Sequence, residues 1–391
     1  MIAKRPSASI ISILKDLVAF DSTSRNSNLP IINYVQDYLK RYGIEAHLVR
    51  TPDGTKANLW ASIGPQDRPG VILSGHTDVV PVDGQNWSHD AFSLIERDEK
   101  LFGRGACDMK GFLAVVLAAV PKIASANLRM PIRIAFSHDE EVGCIGVKSL
   151  IDWLKDQPVR DELCIVGEPT DMQPVIGHKG GRAYRVIVEG REAHSSLAPQ
   201  AVNSINAAAE LIVFLKQISD ELMRGPNDSA YDVTHGTLST GLINGGSAIN
   251  IVPKTCEFVF EYRHLLGFDA QALAERVFRY ANEVILPPMR KVAPESSIRF
   301  EEIYSYPALA IDVNHHAVGY VKNLAKRNDE SKVAYGTEGG FFMNELGIPT
   351  VVCGPGSIKQ AHTPDEYILI EQLALCEDFL DRLILNIIKA D

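Results

Sequence analysis

Four short apolar runs constrain this fold most, because each stops at a cluster of glycine and polar residues. They are Val71-Ile-Leu-Ser-Gly-His-Thr-Asp, Ile132-Arg-Ile-Ala-Phe-Ser-His-Asp-Glu-Glu, Leu163-Cys-Ile-Val-Gly-Glu and Thr350-Val-Val-Cys-Gly-Pro-Gly. Short β-branched runs separated by helical patterns predict strands of a buried, mostly parallel sheet. Open α/β sheets bind ligands outside the carboxyl ends of their strands. Four candidate metal-ligating side chains, His76, Glu141, Glu168 and His362, follow those runs, and Asp108 is a fifth. A sheet of this kind would gather them into one site.

The surrounding pattern predicts an α/β fold, a three-layer sandwich. Amphipathic stretches run from Ser9 to Phe20 and from Pro30 to Tyr42, followed by strands at Ala46–Arg50, Ala57–Ile63 and Val71–Ser74 and a helix from Gly111 to about Ala124. Around Gly177-His-Lys-Gly-Gly the pattern changes. Strands at Ala183–Glu189, Gly236–Leu242, Cys256–Arg263 and Ile298–Ile303, with helices at Asn203–Ile218 and Phe268–Val284, give the order βαββαβ. That order is the ferredoxin-like, split βαβ arrangement of a small module. Pro287-Pro-Met and Tyr306-Pro punctuate its exit, and the chain closes with a helix over Glu371–Ile388. The expected layout is one domain over 1–179 and 307–391, interrupted by another over 180–306.

Composition narrows the function classes. A chain of 391 residues with 46% hydrophobic content can bury a large core. Its net charge of −10 offers no basic field for phosphate backbones, so no nucleic-acid partner is expected. No stretch reaches the roughly 18–20 apolar residues of a membrane span, so no membrane partner is expected either. Lys4 and Arg5 precede Ile10-Ile-Ser-Ile-Leu, but Lys15 and Asp16 break that run, which predicts an amphipathic first helix rather than a secretory leader. Six cysteines stand singly, without a Cys-x-x-Cys pair, which points to a reducing cytoplasm.

The chemistry rests on combinations. In His76-Thr-Asp78 the two residues share a strand face, so Asp78 could orient the imidazole as a metal ligand requires. The glycine-punctuated turn Gly103-Arg-Gly-Ala-Cys-Asp108-Met-Lys-Gly delivers one carboxylate at a helix start, where a helix cap is the competing reading. His138-Asp-Glu140-Glu141 places two adjacent acids after a strand. They suit either a helix N-terminus or a pair in which one binds a cation and the other abstracts a proton. Two histidines and three carboxylates together satisfy two divalent ions, with zinc favoured by the imidazole–carboxylate mixture and cobalt a second choice. No Gly-x-Ser-x-Gly elbow competes.

These segments resemble the zinc-dependent aminoacylase and exopeptidase family, along nearly the whole chain. The stretches Ser74-Gly-His-Thr-Asp-Val-Val-Pro, Gly103 to Gly111, Asp139-Glu-Glu and Gly167-Glu-Pro-Thr stand in family order. Gly103 to Phe112, Tyr335-Gly-Thr-Glu338 and Gly354 to Tyr367 look most like members that release acetate and L-ornithine from N2-acetyl-L-ornithine. The resemblance implies that Asp108 bridges two metals, with His76 and Glu168 completing one site and Glu141 and His362 the other. It also implies Glu140 as the base, Asp78 supporting His76, and a cis peptide at Asp108–Met109. Asn250 and Arg263 would hold the substrate carboxylate, and Glu338 would face its side-chain ammonium. His194 would be donated across a homodimer formed by the inserted dimerisation, or lid, domain.

The small-molecule substrate implied is an N-acylated amino acid. A succinyl-diaminopimelate desuccinylase, a related metallo-dipeptidase or aminoacylase, and a non-enzymatic amino-acid-binding protein remain as alternatives. One departure from many relatives is Phe112, where they carry a second glycine; it leaves the ligands alone but bears on helix packing near them.

Overall fold

The computed structural model describes residues 4–388; the outer three residues at each end of the expected catalytic domain lie outside that span. The chain divides into two compact units, one built from the segments up to His178 and from Leu309 onward, the other from Lys179–Ala308.

The first unit is organised by a nine-stranded sheet. Its centre is four parallel strands in the order Ile132–Ser137, Val71–His76, Leu163–Pro169, Thr350–Gly354. All four are buried along their length, as strands covered on both faces must be. Antiparallel strands finish the edges: Ala57–Ile63 and Ala46–Arg50 on one side, Val175–His178 and Leu309–Ala310 on the other. The next two sheet strands in sequence lie on opposite sides of Val71–His76, Ile132–Ser137 on one and Leu163–Pro169 on the other, so the strand order reverses there. Such a reversal opens a crevice at the strand ends.

Alternation along Ala57–Ile63 separates the two helical layers. Ala57, Leu59, Ala61 and Ile63 join the core formed with Ala8–Val18, Leu29–Lys40, Gly111–Ser125 and Ile370–Ile387. On the opposite face, Trp60 meets Trp153 edge-on, and Asn58 donates to the Gly146 carbonyl beside the helix Val147–Lys155. Helix Gly339–Leu346 packs against that same helix. The result is a three-layer α/β sandwich.

The second unit is a four-stranded antiparallel sheet in the order Thr237–Gly245, Thr255–His264, Gly180–Glu189, Ser297–Tyr306. In chain order this is the ferredoxin-like βαββαβ arrangement. Val186, Val188, Phe258 and Phe260 bury against Leu211 and Leu215 of Ser204–Met223 and Val277 of Ala270–Tyr280. One expectation is corrected here. Pro287-Pro-Met does not stand at this unit's exit; the two prolines occupy the first turn of Leu286–Val292, which follows a π-type turn at Ala281–Ile285, and strand Ser297–Tyr306 is still to come. First-turn prolines are tolerated because the N–H groups there lack intrahelical partners.

A three-stranded ribbon not foreseen from sequence joins Ile95–Arg97, Lys100–Phe102 and Tyr367–Leu369. Its register sets Phe102 opposite Tyr367, so the turn after Phe102 runs beside the segment that ends at Glu366. The ribbon thereby delivers two distant stretches to the strand ends.

The departure at Phe112 has a packing consequence. A Cβ placed on Gly167 would lie 2.1 Å from the Phe112 ring, so the strand carrying Glu168 lies directly against this aromatic. Gly167→Ala should destabilise the protein by ~1–3 kcal/mol through overpacking, measured by urea unfolding. The Gly167→Ala/Phe112→Ala double variant should lose less than the sum of the single changes, as contacting residues do.

Candidate metal centre

His76 ends its strand fully buried, with Nε2 3.1 Å from Asp108 Oδ1 and 3.7 Å from Glu168 Oε1. On the other side, His362 Nε2 lies 3.3 Å from Asp108 Oδ2 and 3.0 Å from Glu141 Oε2. Two groups result, His76–Asp108–Glu168 and Asp108–Glu141–His362, with the donor atoms of each within 4.8 Å of one another. Asp108 belongs to both and turns a different oxygen to each. His362 is half exposed, whereas the His76 side is enclosed.

Each donor is held from behind. His76 Nδ1 lies 2.9 Å from the backbone carbonyl of Asp78. A carbonyl only accepts, so Nδ1 keeps its proton, and Nε2, which donates to Asp108 while the ring is protonated, would turn a lone pair toward Asp108 and Glu168 on losing its own. The Asp78 carboxylate is farther from the ring, at 3.6 Å. It accepts instead from Ser24 Oγ at 2.7 Å and from the amides of Glu140 and Glu141 at 3.1 and 3.3 Å. Asp78 therefore orients His76 through its backbone and fastens the Glu140–Glu141 loop through its side chain.

That loop is not a helix N-terminus, since the next helix begins at Val147. It folds back on itself through Cys144 N–H to Glu140 O at 2.8 Å and Ile145 N–H to Asp139 O at 3.1 Å. Its first acid, Asp139, is paired with Lys56 and lies 3.1 Å from His138 Nδ1. The Cys144 thiol donates to Glu140 Oε1 at 3.2 Å.

Asp108 sits in a turn of π character, Ala106–Lys110, entered through Gly105 at φ +77° and containing a cis Asp108–Met109 peptide. The helix-cap reading of Asp108 does not apply, because its side chain faces the two imidazoles and caps no helix. The turn is fixed by Glu366, whose carboxylate accepts from the amides of Gly105, Cys107 and Asp108 at 3.0, 2.9 and 3.0 Å. Arg104 Nη1 completes it at 2.7 Å. Cys107 points away and donates to the Ser357 carbonyl at 3.3 Å.

Glu338 requires a correction. Its carboxylate is fully buried and accepts from Ser74 Oγ at 2.5 Å and Ser137 Oγ at 2.6 Å. Both oxygens serve the strands bearing His76 and the Glu140 loop, and no face is open to a substrate ammonium.

Burial pushes Glu140 up to about 8, reinforced by the negative charges of Glu141, Asp108 and Asp78 and opposed by His76. Burial and Asp108 push Glu141 up to about 7 against the His362 hydrogen bond. Glu168 is raised well above the carboxylate range, again chiefly by burial. Burial also acts upward on Asp108, but hydrogen bonds from His362 and His76 outweigh it and hold Asp108 low. His362 is drawn up to about 10 by its hydrogen bonds to Asp108 and Glu141. Such mutual repulsion in a water-poor pocket is the condition that divalent cations relieve. Imidazole and carboxylate donors without thiolate fit zinc and comparable ions.

The remaining residues singled out from sequence lie in the second unit. His194 is exposed, with Nδ1 2.8 Å from Ser196 Oγ and accepting from the Ser196 amide at 3.2 Å. The neutral ring therefore carries its proton on Nε2. Ser195 N–H donates to the Asn250 carbonyl at 2.9 Å, so His194 and Asn250 are local neighbours. Arg263 Nη1 donates to Tyr306 Oη at 3.2 Å.

A match to the peptidase family M20/M25/M40 covers residues 72–386. The chain belongs to this family. Over 366 residues it is 34% identical to an acetylornithine deacetylase of Photorhabdus laumondii subsp. laumondii, covering 92% of each chain. Its fold is similar to that of an M20 family metallo-carboxypeptidase from Sulfolobus solfataricus, with a TM-score of 0.78 at 19% identity, covering 97% of this chain and 99% of the other. It is also similar to a dinuclear metal binding M20 peptidase of Bacillus subtilis, with a TM-score of 0.65 at 15% identity, covering 97% of each chain. This M20 chain is thus a metal-dependent hydrolase acting on amide bonds.

Sequence reasoning passed over Ser24, Arg104, Cys144 and Glu366. The last was visible in His362-Thr-Pro-Asp-Glu, but its pairing with a turn far upstream was not. If both groups bind metal, Asp108→Asn should lower the content from two ions per chain toward none, whereas Glu168→Gln should leave about one. Metal analysis after dialysis checks both.

Proposed function

We propose that this chain removes the acetyl group from N2-acetyl-L-ornithine, giving L-ornithine and acetate for arginine biosynthesis. The observation that carries this reading is Asp108 presenting one oxygen to each imidazole group, with Glu140 adjacent in sequence to Glu141 and near enough to feel the charges of Asp108 and His76. The deacetylase relative supports the choice of substrate. His76, Asp108 and Glu168 would hold one divalent ion and Asp108, Glu141 and His362 the other, zinc by donor chemistry or cobalt. When bound, such ions act as Lewis acids and bring the pKa of water from 15.7 to about 7.

The residues of the chain handle the proton. Glu140 takes it from the attacking water, whose oxygen adds to the acetyl carbonyl carbon. Glu140 then returns the proton to the ornithine nitrogen as the C–N bond breaks. Its raised affinity for a proton suits the second role, and positive charge bound nearby favours the first. In a cytoplasmic homodimer, His194 of the second subunit would donate its Nε2–H to the developing oxyanion. Arg263 and Asn250 are assigned to the substrate's α-carboxylate, which a guanidinium matches as a planar partner. Glu338 has no part in substrate binding.

Glu140→Gln should keep both metal ions and lose at least ~10²–10⁴-fold in kcat, read by acetate release. Acetylornithine should exceed succinyl-diaminopimelate and simple dipeptides in kcat/KM; a preference for either competitor would refute the substrate assignment. Mixing inactive His194→Ala with inactive Glu140→Gln should restore part of the activity through hybrid dimers, whereas mixtures that stay inactive would argue for self-contained sites.

A further inference from the structure

The segment presenting His362 is held by groups outside the candidate ligands. His362 adopts φ +60°, a left-handed conformation that side-chain-bearing residues rarely keep without support. Its carbonyl accepts a hydrogen bond from Gln85 Nε2 at 3.0 Å. The other end of the same amide, Gln85 Oε1, accepts from Arg104 Nη2 and from Trp87 Nε1, the latter at 3.0 Å. Two N–H donors on one side require the amide oxygen there, which turns the NH2 group toward His362.

Arg104 continues the connection. Its Nη1 donates to Glu366, and Glu366 accepts the amides of Gly105, Cys107 and Asp108. Arg104 and Glu366 are both buried, and the guanidinium lies 5.0 Å from the Trp87 ring centre. A continuous path therefore runs from the Asp108 amide through Glu366, Arg104 and Gln85 to the His362 carbonyl. A second tie joins the same two loops, from Ser88 N–H to Asp365 Oδ1 at 2.9 Å.

We propose that Gln85 is a positioning residue for His362, linking the backbone that presents this imidazole to the Glu366-clamped turn that presents Asp108. The role needs an acceptor and a donor on one short side chain. Glutamate would keep the acceptor and lose the donor; leucine would lose both. The inference rests on His362 being a metal ligand.

The test uses the full-length protein stripped of metal and titrated with Zn2+ against a chromophoric chelator, with thermal unfolding of each apo-protein measured alongside. Gln85→Glu and Gln85→Leu should bind the first equivalent as the unmodified protein does and the second about tenfold more weakly. Their unfolding midpoints should stay close to that of the unmodified protein. His362→Ala should lose the second equivalent. If His362→Ala loses it while both Gln85 variants keep it at full affinity, the positioning role is overturned and the ligand reading stands. If His362→Ala binds both equivalents normally, the ligand reading fails and the inference with it. Equal weakening of both equivalents together with a lower midpoint would mean that Gln85 only fastens its loop, which also overturns the proposal.

Discussion

Repulsion among buried carboxylates is the constraint around which the strand ends of the first unit are built. Seven acidic side chains crowd there, and the fold treats them in two ways. Asp78, Glu338 and Glu366 are saturated from within the protein: backbone amides and Ser24 serve the first, Ser74 and Ser137 the second, three amides and Arg104 the third. A carboxylate with its lone pairs so occupied is part of the framework. Asp108, Glu141 and Glu168 instead turn oxygens toward imidazoles, and Glu140 has only a thiol donor on its side chain. Only the two imidazoles and added protons offset this second set within the chain, so it is the set that a bound divalent cation would relieve. The first set sustains the second, because Asp78 and Glu366 fix the very loops on which Glu140, Glu141 and Asp108 stand.

The parts legible in the sequence were those with a period or a sharp terminus. Apolar runs ending at His76, Ser137, Glu168 and Gly354 announced the four central strands, and alternation at Cys256–Arg263 announced a sheet with one covered face. Four of the five candidate ligands could be read for the same reason, since strand ends were where a parallel sheet would present them; Asp108, in a glycine-punctuated turn, was singled out by combination with those four. Pairings across long sequence separations were not legible. Arg104 meets Glu366 only because Phe102 lies opposite Tyr367 in a ribbon of three-residue strands, too short to leave a pattern. Glu338 misled for a related reason. The likeness of Tyr335-Gly-Thr-Glu338 to deacetylase members suggested a substrate contact, and only its two serine partners, on different strands, reveal a framework role.

The second unit departs and returns at one place. Val175–His178 and Leu309–Ala310 are antiparallel neighbours, with His178 opposite Leu309, so the first unit meets the whole of Lys179–Ala308 as it would meet a hairpin turn. Closing a longer loop adds only ~0.6 kcal/mol per doubling of length, which explains how so large an insertion is accommodated at a sheet edge. The placement also sets an order of emergence from the ribosome. His76, Asp108, Glu141 and Glu168 are synthesised before the insertion and His362 after it. The candidate metal centre therefore stays one imidazole short until translation of the entire insertion has finished, so its completion reports that the inserted module has been made in full.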